Sequence, residues 1–165
     1  LAEIESDVAA PAPQAPPEEE VRVCLFRISG DHYAVTVDVL AEIIIPQKIF
    51  PVPTTPSHVI GVMNLRGNIV PIVDIRPAMS LPPQTGVNQI AIIRRDQMTI
   101  GVVVDAVSEV AGVPKSSVMA MPAELGAKDP AVRSRSRFIK AVIRREDGVA
   151  ALLDIDRLIE AIRLS

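Results

Sequence analysis

From Val21 onward, apolar residues recur at every second position or run continuously, and helical spacing is rare before the last segment. Val21-Arg22-Val23-Cys24-Leu25-Phe26-Arg27-Ile28 alternates, Ser29-Gly30-Asp31 supplies a turn, and residues 33–37 resume the strand pattern, which is a hairpin signal. Glu42-Ile43-Ile44-Ile45 ends at Pro46, and the prolines at 46, 51, 53 and 56 make the next stretch an irregular loop. Three more hairpins follow. Residues 59–65 and 69–73 flank Arg66-Gly67-Asn68, residues 90–93 and 100–104 flank Arg95-Asp96-Gln97, and residues 138–145 and 149–153 flank Glu146-Asp147-Gly148. Only Ile155, Leu158, Ile159 and Ile162 are spaced for one helical face, with Asp154 or Asp156 placed to cap it. The pattern predicts a mainly β chain with a short C-terminal helix.

The chain also contains itself twice. Residues 37–43 recur at 104–110, an offset of 67, and residues 59–75 align without gaps to 139–155, an offset of 80. The difference is an insertion of 13 residues within 111–137 of the second copy. A period this long is not that of a solenoid. It describes one five-strand unit used twice, each copy closing into a small barrel and so removing its exposed edges. The expected architecture is two packed barrels, the first roughly 35–85 and the second roughly 86–155, with terminal strands free to be exchanged between them.

Composition sharpens this picture at its two ends. The first twenty residues hold six acids, no base and four prolines, a make-up that buries too little apolar surface to offset its ordering entropy. Residues 1–20 are therefore expected to be a disordered acidic tail and 21–165 the folded domain. The net charge of −3 divides accordingly, because removing six acids leaves 14 acids against 17 bases, or +3. Aromatic residues are only 2% of the chain, which argues against stacking on single-stranded nucleic acid. No apolar run reaches the roughly 18 residues of a membrane-spanning helix, and no secretory leader pattern is present. A single cysteine, Cys24, excludes an internal disulfide, and with two histidines a Cys/His metal cage is not expected.

Candidate chemistry is sparse. His32 lies in a turn, and His58 precedes a strand where the second copy has Phe138, which points to packing. Asp38, Asp74, Asp105 and Asp154 all follow apolar strands at related repeat positions, as strand-end turns or helix caps do. The eight glycines form no phosphate loop. No enzyme and no cofactor are expected. Arg133-Ser134-Arg135-Ser136-Arg137 is a basic cluster in the insertion, read as a solvated loop, with an anion- or RNA-binding barrel as the competing reading. The aligned hairpin turns differ in charge, Arg66 standing against Glu146, and arginine is a favoured interface residue.

The run Val59-Ile60-Gly61-Val62-Met63-Asn64-Leu65-Arg66-Gly67-Asn68-Ile69-Val70-Pro71-Ile72-Val73-Asp74-Ile75-Arg76 resembles the signature of the CheW-like family, the chemotaxis coupling proteins. Gly30 with Tyr33-Ala34-Val35, Glu42-Ile43, the Val52-Pro53 loop, Ile100-Gly101-Val102-Val103-Val104-Asp105 and Leu152-Leu153-Asp154 follow in the family's order. The resemblance spans about residues 21 to 163 and implies two SH3-like five-stranded β-barrels. It implies a non-catalytic adaptor, cytoplasmic and at receptor arrays beneath the inner membrane, holding chemoreceptor cytoplasmic tips and a CheA-type histidine kinase together. No nucleic acid and no direct membrane insertion belong to that role. On the family motif, Arg66 and Asn64 fall at the receptor-binding arginine. Leu40, Ile100, Val102 and Val104 would line the receptor groove, and Glu42, Ile43 and Gly61 would face the kinase. The alternative is the regulatory CheW-like domain of the kinase itself. Lys140-Ala141 stands where the family commonly has a glycine, and this with the 123–137 insertion sets the second barrel's partner surface apart.

Overall fold

Two six-stranded sheets of the same internal order account for the strands in the computed structural model, which describes residues 19–53, 58–83, 88–121 and 136–163. In chain order the strands are β1 (Glu20–Ile28), β2 (Asp31–Thr36), β3 (Leu40–Ile44), β4 (Ile49–Phe50), β5 (Val59–Leu65) and β6 (Asn68–Val73). The second half supplies β7 (Gln89–Arg95), β8 (Met98–Val104), β9 (Ala106–Pro114), β10 (Val118–Ala120), β11 (Ile139–Arg145) and β12 (Gly148–Leu153), then helix α1 (Ile155–Arg163). One sheet runs β3-β7-β8-β6-β5-β4 and the other β9-β1-β2-β12-β11-β10. Each forms an SH3-like barrel. The very short β4 and β10 are the sixth members, added to the five that the pattern of apolar residues predicts.

The same order arises because the copies exchange their opening hairpins. β1–β2 begins the first repeat but pairs with β9 and β12 of the second. β7–β8 begins the second repeat but pairs with β3 and β6 of the first. Both exchanges use one register: Leu152 lies opposite Ala34 in the parallel β12–β2 pair, and Ile72 lies opposite Gly101 in β6–β8, positions related by the repeat offsets. The division expected near residue 85 therefore falls elsewhere, since residues 89–104 close the first barrel, and β1 with β2 completes the second. Residues 1–18 of the acidic tail, and Arg133 and Arg135 of the basic cluster, lie outside the described residues.

Local chemistry fits these pairings. In the turns of β1–β2, β5–β6 and β7–β8 both central residues have positive φ, the geometry whose twist matches that of the flanking strands: Ser29 and Gly30, Arg66 and Gly67, Asp96 and Gln97. Asp154 caps α1 by accepting the Arg157 amide at 3.1 Å.

Exchange also explains the continuous apolar runs. Val23 and Leu25 of β1 face the private core of the second barrel, whereas Cys24, Phe26 and Ile28 face a core shared by both barrels. Ile90 and Ile92 of β7 fill the private core of the first barrel, and Ile93 joins Ile100, Val102 and Val104 of β8 in the shared core. Strands buried on both faces have no solvent side on which to alternate. The helix seals this layer with Leu158 and Ile159. Equivalent residues meet there, the His58 and Phe138 rings tilted at 55° with centroids 6.0 Å apart, as expected where two copies are related by a local two-fold. Each also accepts an equivalent amide on its carbonyl, from Asp74 at 2.8 Å and from Asp154 at 2.7 Å.

Burial first, and the nearby Arg137 charge next, push the His58 imidazole below its usual range, against a hydrogen bond to the Ala161 carbonyl. His58 is thus held neutral in the folded chain and free to protonate when unfolded. Its contribution is present above its ordinary pKa and is lost as pH falls below it, by at most about 1.4 kcal/mol per pH unit. His58→Phe, the residue of the second copy, is expected to remove that loss. Urea unfolding at about pH 7.5 and about pH 5.5 should show a smaller stability difference for the variant than for the parent, and equal differences would refute the assignment.

Candidate functional site

The β5–β6 turn projects Arg66 from the rim of the first barrel. The Asn64 side-chain oxygen accepts the Gly67 amide at 2.8 Å, so Asn64 stiffens the turn. Arg66 itself adopts φ 51°, and its side chain is 66% exposed. From there its two Nη atoms donate to both oxygens of Glu42, at 2.7 and 2.6 Å. Glu42 belongs to β3, the sheet edge opposite β4, so this bidentate pair spans the seam at which the sheet curls round. The Arg66 hydrogen bond holds the Glu42 carboxyl below the usual carboxylate range, against partial desolvation and with help from the Arg66 and Arg94 charges.

The second barrel carries the same clip by a different residue. Glu109, the counterpart of Glu42, accepts Arg145 Nη2 at 2.6 Å, while the counterpart of Arg66 is the acidic Glu146. An arginine shifted by one position thus preserves the closure. Gapless comparison of the repeats does not reveal this, because it compares Arg145 with Leu65.

The residues expected at partner surfaces divide sharply. Arg66, Asn64, Glu42, Ile43 and Leu40 lie at or near the surface of the first barrel. Ile100, Val102 and Val104 do not line an open groove: all are 0% exposed, because β8 turns them into the shared core. Gly61 is buried at a β-bulge, with φ 154°, and an added Cβ would lie 2.4 Å from the Phe50 carbonyl oxygen. Its absent side chain lets β4 close on β5. Gly61→Ala is expected to destabilise the fold by about 2 kcal/mol or more, read from the urea midpoint, and an unchanged midpoint would exclude this role.

Past the other end of β6 lies a polar cluster that sequence reading missed. Arg76 is 3% exposed and donates to Asp105 Oδ1 at 2.5 Å, Asn88 Oδ1 at 3.0 Å and Asp74 Oδ2 at 3.3 Å. Asp105, where the chain crosses from one barrel to the other, also accepts the Ser29 and Gly30 amides at 3.1 and 2.9 Å. Burial pushes the Asp105 carboxyl up, but the Gly30 amide, Arg76 and the Ser29 amide together hold it below the usual carboxylate range. The signal available was the repeat itself, which sets Arg76 against Asp156. Arg76→Met leaves Asp105 without its cation and is expected to cost about 3–5 kcal/mol, measured by urea unfolding; a loss under about 1 kcal/mol would show the cluster to be surface-like.

His32 is exposed, His58 is buried at the shared core, and burial pushes the Cys24 thiol up, away from a reactive thiolate. Among the described residues, no group of three His, Cys, Asp or Glu side chains is placed to hold a metal, and no helix is long and apolar enough to cross a membrane.

Residues 22–163 match the family model described as the CheW-like domain. The chain is 28% identical over 141 residues to the chemotaxis protein CheW of Bacillus subtilis strain 168, covering 84% of this chain and 86% of that protein. It is 23% identical over 162 residues to that of Helicobacter pylori, covering 97% and 94%. The crystal structure of the scaffolding protein TtCheW from Thermoanaerobacter tengcongensis superposes with a TM-score of 0.70 at 22% identity, over 82% of this chain and 89% of that one.

Proposed function

The chain belongs to the CheW-like family of non-catalytic chemotaxis adaptors, and we propose that it couples chemoreceptor cytoplasmic tips to a CheA-type histidine kinase at receptor arrays beneath the membrane. What supports the reading is Arg66: the resemblance matches it to the family's receptor-binding arginine, and it stands on a two-residue turn with a side chain that is 66% exposed. A planar donor fork on an ordered support loses little freedom when it meets a partner carboxylate or carbonyl.

Leu40 and Arg66 form the receptor side of this proposal, and Asn64 acts by holding the turn. Glu42 and Ile43 on β3 form the kinase side, extended by Ile45, which is 73% exposed. A barrel edge offering a carboxylate and two isoleucines suits a second small barrel, as helix-sized apolar contact suits Leu40. Gly61 contributes the close β4–β5 edge, and Ile100, Val102 and Val104 contribute the stiff layer under the receptor side.

Arg66→Glu breaks the exposed pair with Glu42 and sets two carboxylates near each other, a cost expected to stay at about 1 kcal/mol, so the variant should still fold. It should weaken binding of receptor cytoplasmic fragments by about thirtyfold, on the order of 2 kcal/mol. Calorimetric titration that finds unchanged affinity for the folded variant would remove Arg66 from the receptor surface.

A further inference from the structure

Met119 and Val149 are large apolar side chains left 41% and 59% exposed on the second barrel. Arg144, on the strand between theirs, lies opposite Val149 in the β11–β12 register, and its Nη2 reaches the Met119 sulfur at 3.6 Å. A thioether is a weak acceptor, and among the described residues no carboxylate pairs with this guanidinium. Strands β10, β11 and β12 together hold Lys140, Arg144 and Arg145 and no acid. We propose that the acidic segment at residues 1–8 of this chain docks on this face in cis and shields it.

The tether starts beside the face. Lys115 holds Glu19, donating its amide to the Glu19 carbonyl at 2.9 Å and its Nζ to the carboxylate at 3.3 Å. Lys115 also opens the 3-10 turn Lys115–Ser117, which leads directly into β10. Met119 therefore lies at most about 14 Å from the point where the tail is held. The stretch from Val8 to Glu19 would cover about 18 Å as a flexible coil and about 34 Å if its four prolines keep it extended. Either length is enough.

The segment's side chains complement the face. Leu1, Ile4 and Val8 recur at helical spacing, and Glu3, Glu5 and Asp7 are interspersed, so the segment offers apolar contact to Met119 and Val149 and carboxylates to Arg144 and Lys140. Such a segment buries too little to order alone, but a surface that supplies both kinds of partner offsets that cost. The neighbouring groove between β9 and the β11–β12 turn is a poorer landing place. Its charged lining is Glu109, Glu146 and Asp147 against Arg144 and Arg145, net −1, which repels acids. The first barrel provides an internal control. It keeps the exposed apolar residue, Ile69 for Val149, but has Asn64 in place of Arg144, and β4, β5 and β6 hold no base.

The test is the amide NMR spectrum of the isotope-labelled full chain. Ile4→Asp combined with Val8→Asp changes only residues ahead of β1, and should shift the Met119, Arg144 and Val149 amides while leaving those of Ile60 and Ile69 in place. In an Arg144→Gln background the same two tail substitutions should no longer move Met119 or Val149. A synthetic peptide of residues 1–18, added to the tail-substituted chain, should restore the parent positions at about 1 mM, the effective concentration that a short tether supplies. Identical parent and tail-variant spectra, equal shifts on the first barrel, or a peptide without effect at several times that concentration overturns the proposal. So do shifts that grow with protein concentration, which mark contact between two copies.

Discussion

Reciprocal exchange of the two opening hairpins is the constraint from which the rest of the molecule follows. Each barrel lacks two of its six strands until the other repeat donates them. The donated strands must then be apolar on both faces, one for the barrel they complete and one for the layer between barrels. That requirement produces three cores out of one duplicated pattern and leaves little room for polar side chains in β1, β7 and β8. It also makes aliphatic residues more useful than aromatic ones, since a strand between two closely packed layers has room for branched side chains on both sides. Phe26 and Phe138, the largest fully buried side chains, sit in the shared layer.

Much of this was legible because β patterning and duplication are local signals. Four hairpins, a terminal helix and a two-copy architecture follow from alternation, turn residues and the offsets of 67 and 80. Which hairpin completes which barrel is not local, so the pattern left terminal strands free to be exchanged without assigning the exchange. The same alternation fits pairing within a repeat or between repeats, and only long-range packing decides. The surface was less legible than the fold for a related reason. Ile100, Val102 and Val104 match a groove-lining pattern in sequence, yet a strand with two buried faces sends those side chains inward. Arg66 and Glu42 were identified as single residues, whereas the bonds between them depend on curling that no short segment encodes.

Among the described residues, a largely aliphatic interior is interrupted at His58 and, with a charge, around Arg76. Its partners come from the end of β6, the start of β7 and the crossing from β8 to β9, and Asp105 extends the network to the β1–β2 turn. Apolar contacts alone tolerate sliding, since a methyl group packs against several neighbours with similar energy. A buried guanidinium with fixed acceptors does not, because each displaced bond leaves a charge without a partner. The cluster therefore fixes the register with which one hairpin enters the other barrel.

The exchanged topology has a consequence for biogenesis. Every strand of the first barrel has been made once residue 104 leaves the ribosome, so that barrel can close early. The hairpin β1–β2 is made first of all, yet its partners β9 and β12 end at Pro114 and Leu153. Throughout most of synthesis the segment from Val23 to Phe26 has no sheet to join and no core to enter. Such an early hairpin, apolar on both faces and with both outer edges waiting for partners, is what holdase chaperones recognise, and what misassembles between neighbouring nascent chains. The geometry that makes the finished adaptor a single rigid unit thus makes its first-made strands among the last to find their place.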